Sequence, residues 1–252
     1  MKNIRVIFLL LMSIGFFGYS FGQNDLQKKA NELYSKGDYT GASELYEKII
    51  KTYGVAPELY YNLGNTYYKM GETGRSILNY EKALRLKPMY HDARYNLDMA
   101  QQKVIDNIVQ VPPFFILRWL DILMKLLTSN QWLFAGFVTF IITIIAALFF
   151  IFGFTLNNRK ISFYLATIFL SITVVTLVFS AVRKNQQTQH NEAIIMTGVV
   201  TVKSSPDRSG TDLFQLHEGT KVKVKSQLGS WFEVVLGNGN IGWLESKNIE
   251  QI

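Results

Sequence analysis

Shifting the chain against itself by 34 residues superposes Tyr34, Gly37, Tyr46, Glu47 and Lys48 on Tyr68, Gly71, Tyr80, Glu81 and Lys82. A third, partial copy follows, because Tyr61-Asn62-Leu63 recurs as Tyr95-Asn96-Leu97. A period of this length belongs to a helix–turn–helix unit that cannot bury its apolar face alone. Such units stack on their neighbours and leave a concave surface open to ligands. Over this stretch the chain is expected to be an α-solenoid, and binding is a better starting expectation than catalysis.

Residues 24–108 read as five helices, spanning 24–36, 40–51, 57–70, 74–86 and 91–108. Gly37 and Gly71 supply the left-handed residue that ends a helix, and Pro88 blocks continuation of the fourth. In the second copy Leu63, Gly64, Tyr67, Tyr80, Ala83 and Pro88 carry a resemblance to the tetratricopeptide repeat (TPR). The first copy is looser: Ala30, Ala42 and Tyr46 fit, whereas Gly54 stands where proline is usual. The last helix places Ala93, Leu97, Ala100, Val104 and Ile108 on one stripe and reads as a cap to a TPR domain over 23–110. Two and a half units are few for a free-standing array, so this domain is expected to lean on something else.

Residues 132–154 and 162–182 hold 23 and 21 residues without a charge. As helices they rise about 35 and 32 Å, enough for a hydrocarbon core of about 30 Å. They predict two transmembrane helices joined by a polar turn at 156–160 and followed by a linker at 183–192. Residues 114–128 are apolar, with Arg118, Asp121 and Lys125 on one side, and are too short to cross. They form an amphipathic helix that either lies in the membrane surface or packs under the solenoid. At the N-terminus, Lys2 and Arg5 precede an apolar run, with Ser20 and Gly22 spaced for signal peptidase. Residues 1–22 therefore read as a secretory signal cut before Gln23, or as an uncleaved anchor with the same export consequence. By parity, two spans after an exported solenoid return the C-terminal part to the same face.

Beyond residue 192 the periodicity changes from helical to alternating. Apolar runs at 193–202, 221–225, 231–236 and 241–244 are punctuated by Pro206-Asp207, Glu218-Gly219, Gly229-Ser230 and Gly237-Asn238-Gly239-Asn240. About five short strands in 193–252 imply a small all-β barrel. The segments Val202-Lys203-Ser204-Ser205-Pro206, Ser230-Trp231-Phe232-Glu233-Val234 and Gly239-Asn240-Ile241-Gly242-Trp243-Leu244 resemble a bacterial SH3 domain. The fold class is thus a multidomain membrane protein: α-solenoid, transmembrane hairpin and SH3-like barrel.

The inventory of chemistry is thin. There is no cysteine, and His91, His190 and His217 are far apart, so no metal-ligand spacing occurs. No phosphate loop or nucleophile elbow is present, and the two apolar stretches lack proton-relaying acids or bases. No catalytic residue and no cofactor is expected. The net charge of +7 does not point to nucleic acid. Its shares are +2 over 1–22, +1 over 23–110, +5 over 111–189 and −1 over 190–252, so the excess lies where cations meet lipid headgroups.

The TPR resemblance implies that inner helices turn Asn31, Tyr34, Tyr61, Asn62, Asn65, Tyr68 and Tyr95 toward the concave face. Amides there can hold a peptide backbone and tyrosines offer flat area with a polar tip; the same tyrosines equally suit packing between helices. One TPR subtype grips a terminal carboxylate with two asparagines and several cations. Asn31 and Asn62 match its asparagines, but Gln27, Asp92 and Asn96 occupy the cation positions, which favours an extended or helical partner segment instead. Bacterial SH3 relatives often bind cell-wall peptides, and Trp231 and Trp243 are placed to flank such a site; for Trp231 a core position is the favoured expectation, because large aromatics anchor so small a barrel.

Signal peptide, short TPR array, two-span hairpin and bacterial SH3 domain, in that order, resemble the BatE proteins of the aerotolerance operons. That resemblance implies an inner-membrane protein with both globular parts in the periplasm. It would act without catalysis beside a MoxR-type ATPase and membrane proteins with von Willebrand A domains. The alternative is a tether that binds peptidoglycan through its SH3-like domain.

Overall fold

Each repeat ends its first helix with the same hydrogen bonds. Asp38 N–H donates to the Leu33 carbonyl and Gly37 N–H to that of Tyr34; 34 residues on, Glu72 N–H donates to Tyr67 and Gly71 N–H to Tyr68. Gly71 has φ +80°, the left-handed geometry that lets a chain leave a helix with its last carbonyls satisfied. These details come from a computed structural model, which describes residues 24–108, 114–189 and 191–252. The expected signal segment 1–22, the Pro112-Pro113 break and His190 lie outside the described residues.

The chain divides into two compact units. The first contains helices α1 (24–35), α2 (Tyr39–Tyr53), α3 (Pro57–Met70), α4 (Thr73–Leu86) and α5 (His91–Gln101). It also contains a seven-stranded antiparallel sheet: β1 (Glu192–Ile195), β2 (Val199–Lys203), β3 (Asp212–His217), β4 (Lys221–Leu228), β5 (Trp231–Val235), β6 (Ile241–Glu245) and β7 (Ile249–Gln251). Asp38 caps α2 by accepting from Gly41 N–H at 2.9 Å, and Pro57 opens α3 where no amide is needed. Ala30, Ala42, Tyr46, Ile49, Leu59, Leu63 and Tyr67 form the core of the first repeat.

The sheet runs in the order β3-β2-β6-β5-β4-β1-β7. Residues from all seven strands, among them Ala193, Val202, Leu216, Val222, Val234, Leu244 and Ile249, meet in one interior cluster. The sequence implies about five strands and a continuous run over 193–202. The structure has seven, and it breaks that run at Thr197-Gly198 because β1 pairs with β4 and β7, whereas β2 pairs with β3 and β6. β3 escapes sequence reading because Asp212-Leu213-Phe214-Gln215-Leu216-His217 alternates poorly. β7 is too short to show a period at all.

β1 is buried on both faces. Ala193 and Ile195 enter the sheet's interior cluster, while Ile194 joins Ile77, Leu78, Tyr80, Leu84, Leu97 and Ile252 in a second core built mainly from α4 and α5. The solenoid therefore does lean on something, and that something is the sheet. Polar groups rim the joint. Gly74 N–H donates to Glu218 at 2.7 Å, Lys82 pairs with Glu250 at 2.9 Å, and Arg85 donates to the Ile252 carbonyl. Lys221 lies 3.1 Å from Glu81 and 2.9 Å from Glu192.

The expected helix over 91–108 stops at Gln101. The residues after it cross to the sheet. Val104 packs on the shared core and Ile108 on the sheet interior. Asp106 accepts from His217 N–H at 2.7 Å and from Thr220 Oγ1 at 2.6 Å, with His217 Nδ1 at 2.7 Å from its other oxygen. A continued helix would forfeit these bonds, and Val104, Ile105, Asp106 and Asn107 are weak helix formers.

The second unit contains α6 (Phe115–Lys125), α7 (Ser129–Phe152) and α8 (Leu156–Thr188). Thr128 and Gln131 form a reciprocal capping box at the start of α7. The turn between α7 and α8 lies at 153–155. The expected polar turn at 156–160 is instead the first turn of α8, capped by Thr155, and α8 runs on through most of the expected linker 183–192. Once nucleated, a helix adds such residues at little cost.

The two helices are antiparallel. Ser129 Oγ donates to the Ser180 carbonyl and Ser180 Oγ to the Ser129 carbonyl, both at 2.9 Å. Thr173 Oγ1 donates to Thr139 Oγ1 at 2.9 Å, and Trp132 meets Phe179 edge-on at 5.1 Å. What α7 buries is Ser129, Gly136 and Ala146; apart from the half-buried Ile142, its Leu, Ile and Phe side chains are exposed. Small and polar residues inside with apolar residues outside is the pattern of helices packed in hydrocarbon. Both helices are long and apolar enough to cross a membrane.

Candidate peptide-binding groove

The concave side of the solenoid is built from period-related pairs. Tyr46 on α2 donates its hydroxyl to Asn31 Oδ1 at 2.5 Å, and Tyr80 on α4 donates to Asn65 Oδ1 at 2.7 Å. Each pair is the other moved by one repeat. Tyr46 and Tyr80 are almost wholly buried. Burial pushes the Tyr46 hydroxyl up to about 12 and raises that of Tyr80 as well, so both remain protonated donors through the physiological range. Each asparagine thus has its carbonyl oxygen committed, and among the described residues its amide nitrogen is unspent.

Asn96 on α5 donates to the same Asn65 Oδ1 at 2.7 Å and to the Tyr61 hydroxyl at 3.3 Å. A cleft of about 340 Å³ opens above this network, lined by Tyr34, Tyr61, Asn65, Tyr68, Lys69, Tyr80, Tyr95, Asn96 and Met99. A second cleft of about 300 Å³ shares Tyr34 and Asn65 with it and adds Asn31, Ser35, Tyr46 and Asn62. All seven residues named from the TPR resemblance therefore line two adjoining clefts. Their surroundings differ. Tyr95 is 67% exposed, Tyr61 packs beside Tyr80 and Tyr90, and Tyr68 carries Lys103 Nζ 3.8 Å above its ring.

Sequence reasoning passed over Lys69, Met99 and Lys103. Met99 was recoverable, since it stands one period after Asn65. Lys103 was not, because it reaches Tyr68 only where the chain has left the fifth helix.

Trp231 lies on β5 and Trp243 on β6. Trp231 pairs with Glu245 and Trp243 with Glu233 in the β5–β6 ladder, so the two indoles are diagonal neighbours on one face. Val234 and Leu244 point the opposite way into the interior. Trp231 is half-buried and is not part of the buried cluster, where Phe232 packs in its place. The core position open to Trp231 in the sequence is thus filled by its neighbour.

Residues 57–90 match the family described as tetratricopeptide repeat, residues 30–71 that described as TPR repeat, and residues 198–250 the bacterial SH3 domain. The globular unit joins two kinds of interaction module. The chain is also similar to a TPR repeat-containing protein of Methanocaldococcus jannaschii, with 28% identity over 109 residues. The match covers 42% of this chain and 19% of that relative, so the chain corresponds to about a fifth of the relative's length. Among the described residues no group of three histidines or carboxylates is placed to hold a metal ion.

Proposed function

We propose that the chain is a non-catalytic adaptor anchored in the bacterial inner membrane by α7 and α8, with its globular unit in the periplasm. α6 lies in the membrane surface beside them. The groove around Asn31, Tyr34, Tyr61, Asn62, Asn65, Tyr68 and Tyr95 takes an extended segment of a partner protein. One observation carries this reading: two buried tyrosines hold two groove asparagines so that their amide donors are left for a ligand. The order of modules resembles BatE proteins. On that resemblance the partners belong to an aerotolerance or envelope-stress complex containing von Willebrand A proteins and a MoxR-type ATPase.

The reading is tested by replacing Asn62 and Asn65 with alanine and recovering partners from solubilised membranes. Loss of recovery is expected; undiminished recovery removes the groove from the function. The pairing of Trp231 and Trp243 on one face favours a second reading, a peptidoglycan tether. Sedimentation of the full chain with purified sacculi, abolished by Trp231→Ala with Trp243→Ala, would support it.

A further inference from the structure

The ligand of the groove can be narrowed by what the clefts offer and what they lack. Among the described residues no carboxylate lines either cleft. Two asparagine carbonyl oxygens are already committed, Asn31 to Tyr46 and Asn65 to Tyr80 and Asn96. Among the described residues their amide nitrogens have no acceptor. Lys69 lines the larger cleft, and Lys103 is held over Tyr68, which lines it too. Among the described residues neither lysine has an ion-pair partner. These groups together form a surface rich in donors and positive in charge, with flat tyrosine walls.

We infer that the groove selects an acidic segment, seating an Asp or Glu side chain of an extended partner between Lys69, Lys103 and the Asn65 amide. This rests on the adaptor reading and adds the partner's chemistry to it. The cations come from outside the positions at which Gln27, Asp92 and Asn96 stand, so their absence there does not leave the groove without charge. Lys103 is available because the chain leaves the helix after Gln101 and is tied to the sheet through Asp106. Docking of the β part therefore helps to complete the groove. A carboxylate that accepts from an ammonium and an amide gains charge-assisted bonds, which are stronger than neutral ones. In a half-open cleft the gain is modest and sensitive to salt.

The test uses the full chain in phosphatidylcholine nanodiscs and a phage library of random dodecapeptides. The selected peptides should be enriched in Asp and Glu and should lose binding to Tyr95→Ala. A synthetic copy of a selected peptide should bind about five- to tenfold more weakly to the Lys69→Gln, Lys103→Gln double variant, corresponding to about 1 kcal/mol. Its amide counterpart, with Asn and Gln for Asp and Glu, should be weakened similarly. Both lysines are exposed, so the double variant should keep its fold, checked by an unchanged melting curve. Peptides that need Tyr95 but carry no acidic excess, or that bind the double variant equally well, overturn the inference and leave the groove reading standing. Peptides indifferent to Tyr95→Ala and Asn65→Ala bind elsewhere and overturn both.

Discussion

Asp106 shows how one side chain can join two modules. It is 13% exposed and takes three hydrogen bonds from the β3–β4 turn. Burial works to raise its carboxyl, but the bonds from Thr220 and His217, with the nearby imidazole, outweigh that and hold it below the usual 3.8. A group depressed in the folded state stabilises fully above its unfolded value, and loses that contribution as pH falls through the folded one. Asp106→Asn should cost about 2 kcal/mol at pH 7, read from the urea midpoint of the solubilised chain. The gap between variant and parent should begin to narrow below about pH 4 and close as pH falls through the lower folded-state value, where the parent carboxyl takes up its proton. Gly219, in the same turn, has φ +87°, and an added Cβ would lie 2.8 Å from Val104 and 3.0 Å from Ile77. Gly219→Ala combines left-handed strain of about 1–2 kcal/mol with that collision and should lower the melting temperature, whereas an alanine at the open surface position Gly198 should change it little.

At the scale of elements, β1 is the piece whose role depends most on context. Its sequence Glu192-Ala193-Ile194-Ile195 reads as one apolar run because both faces are covered, one by the sheet interior and one by α4 and α5. Ile194→Ala removes a fully buried side chain from the shared core and should cost about 2–4 kcal/mol. Hydrogen exchange should then quicken in β1, β7 and α4 together, since these elements meet at that core. Exchange confined to β1 would mean that the two modules fold separately. The helices of the two repeats were legible to within a few residues, because each carries its own period, cap and breaker. The end of α5 was not. The apolar spacing of Val104 and Ile108 continues a helical stripe, yet each packs against a different core once the sheet is present.

At the scale of the whole molecule, the segments before α6 and after α8 build a single unit around shared cores. Two parts with a common core must lie on one side of any membrane, which requires an even number of crossings between them. α7 and α8, both long and apolar enough to cross, would supply two, and α6, with 11 residues, rises only about 16 Å and would add none. Because the chain lacks cysteine, single cysteines can report the topology. Ser35→Cys and Asn238→Cys should both react with a membrane-impermeant maleimide from the periplasmic side of intact cells whose outer membrane has been permeabilised. Asn157→Cys, in the first turn of α8, should react only after the inner membrane is opened. Labelling of Ser35→Cys and Asn238→Cys from opposite sides would contradict the shared core directly.

The modules, their order and the apolar helices were written in local pattern: a 34-residue period, a change from helical to alternating spacing, and two uncharged stretches. Those signals arise within segments, where propensity and periodicity act between near neighbours. The joining of solenoid to sheet came only with tertiary structure, as did Lys103 over Tyr68 and the two tyrosines that orient the groove asparagines. Each depends on side chains distant along the chain meeting at atomic range, and burial satisfies such pairs without leaving a periodic trace.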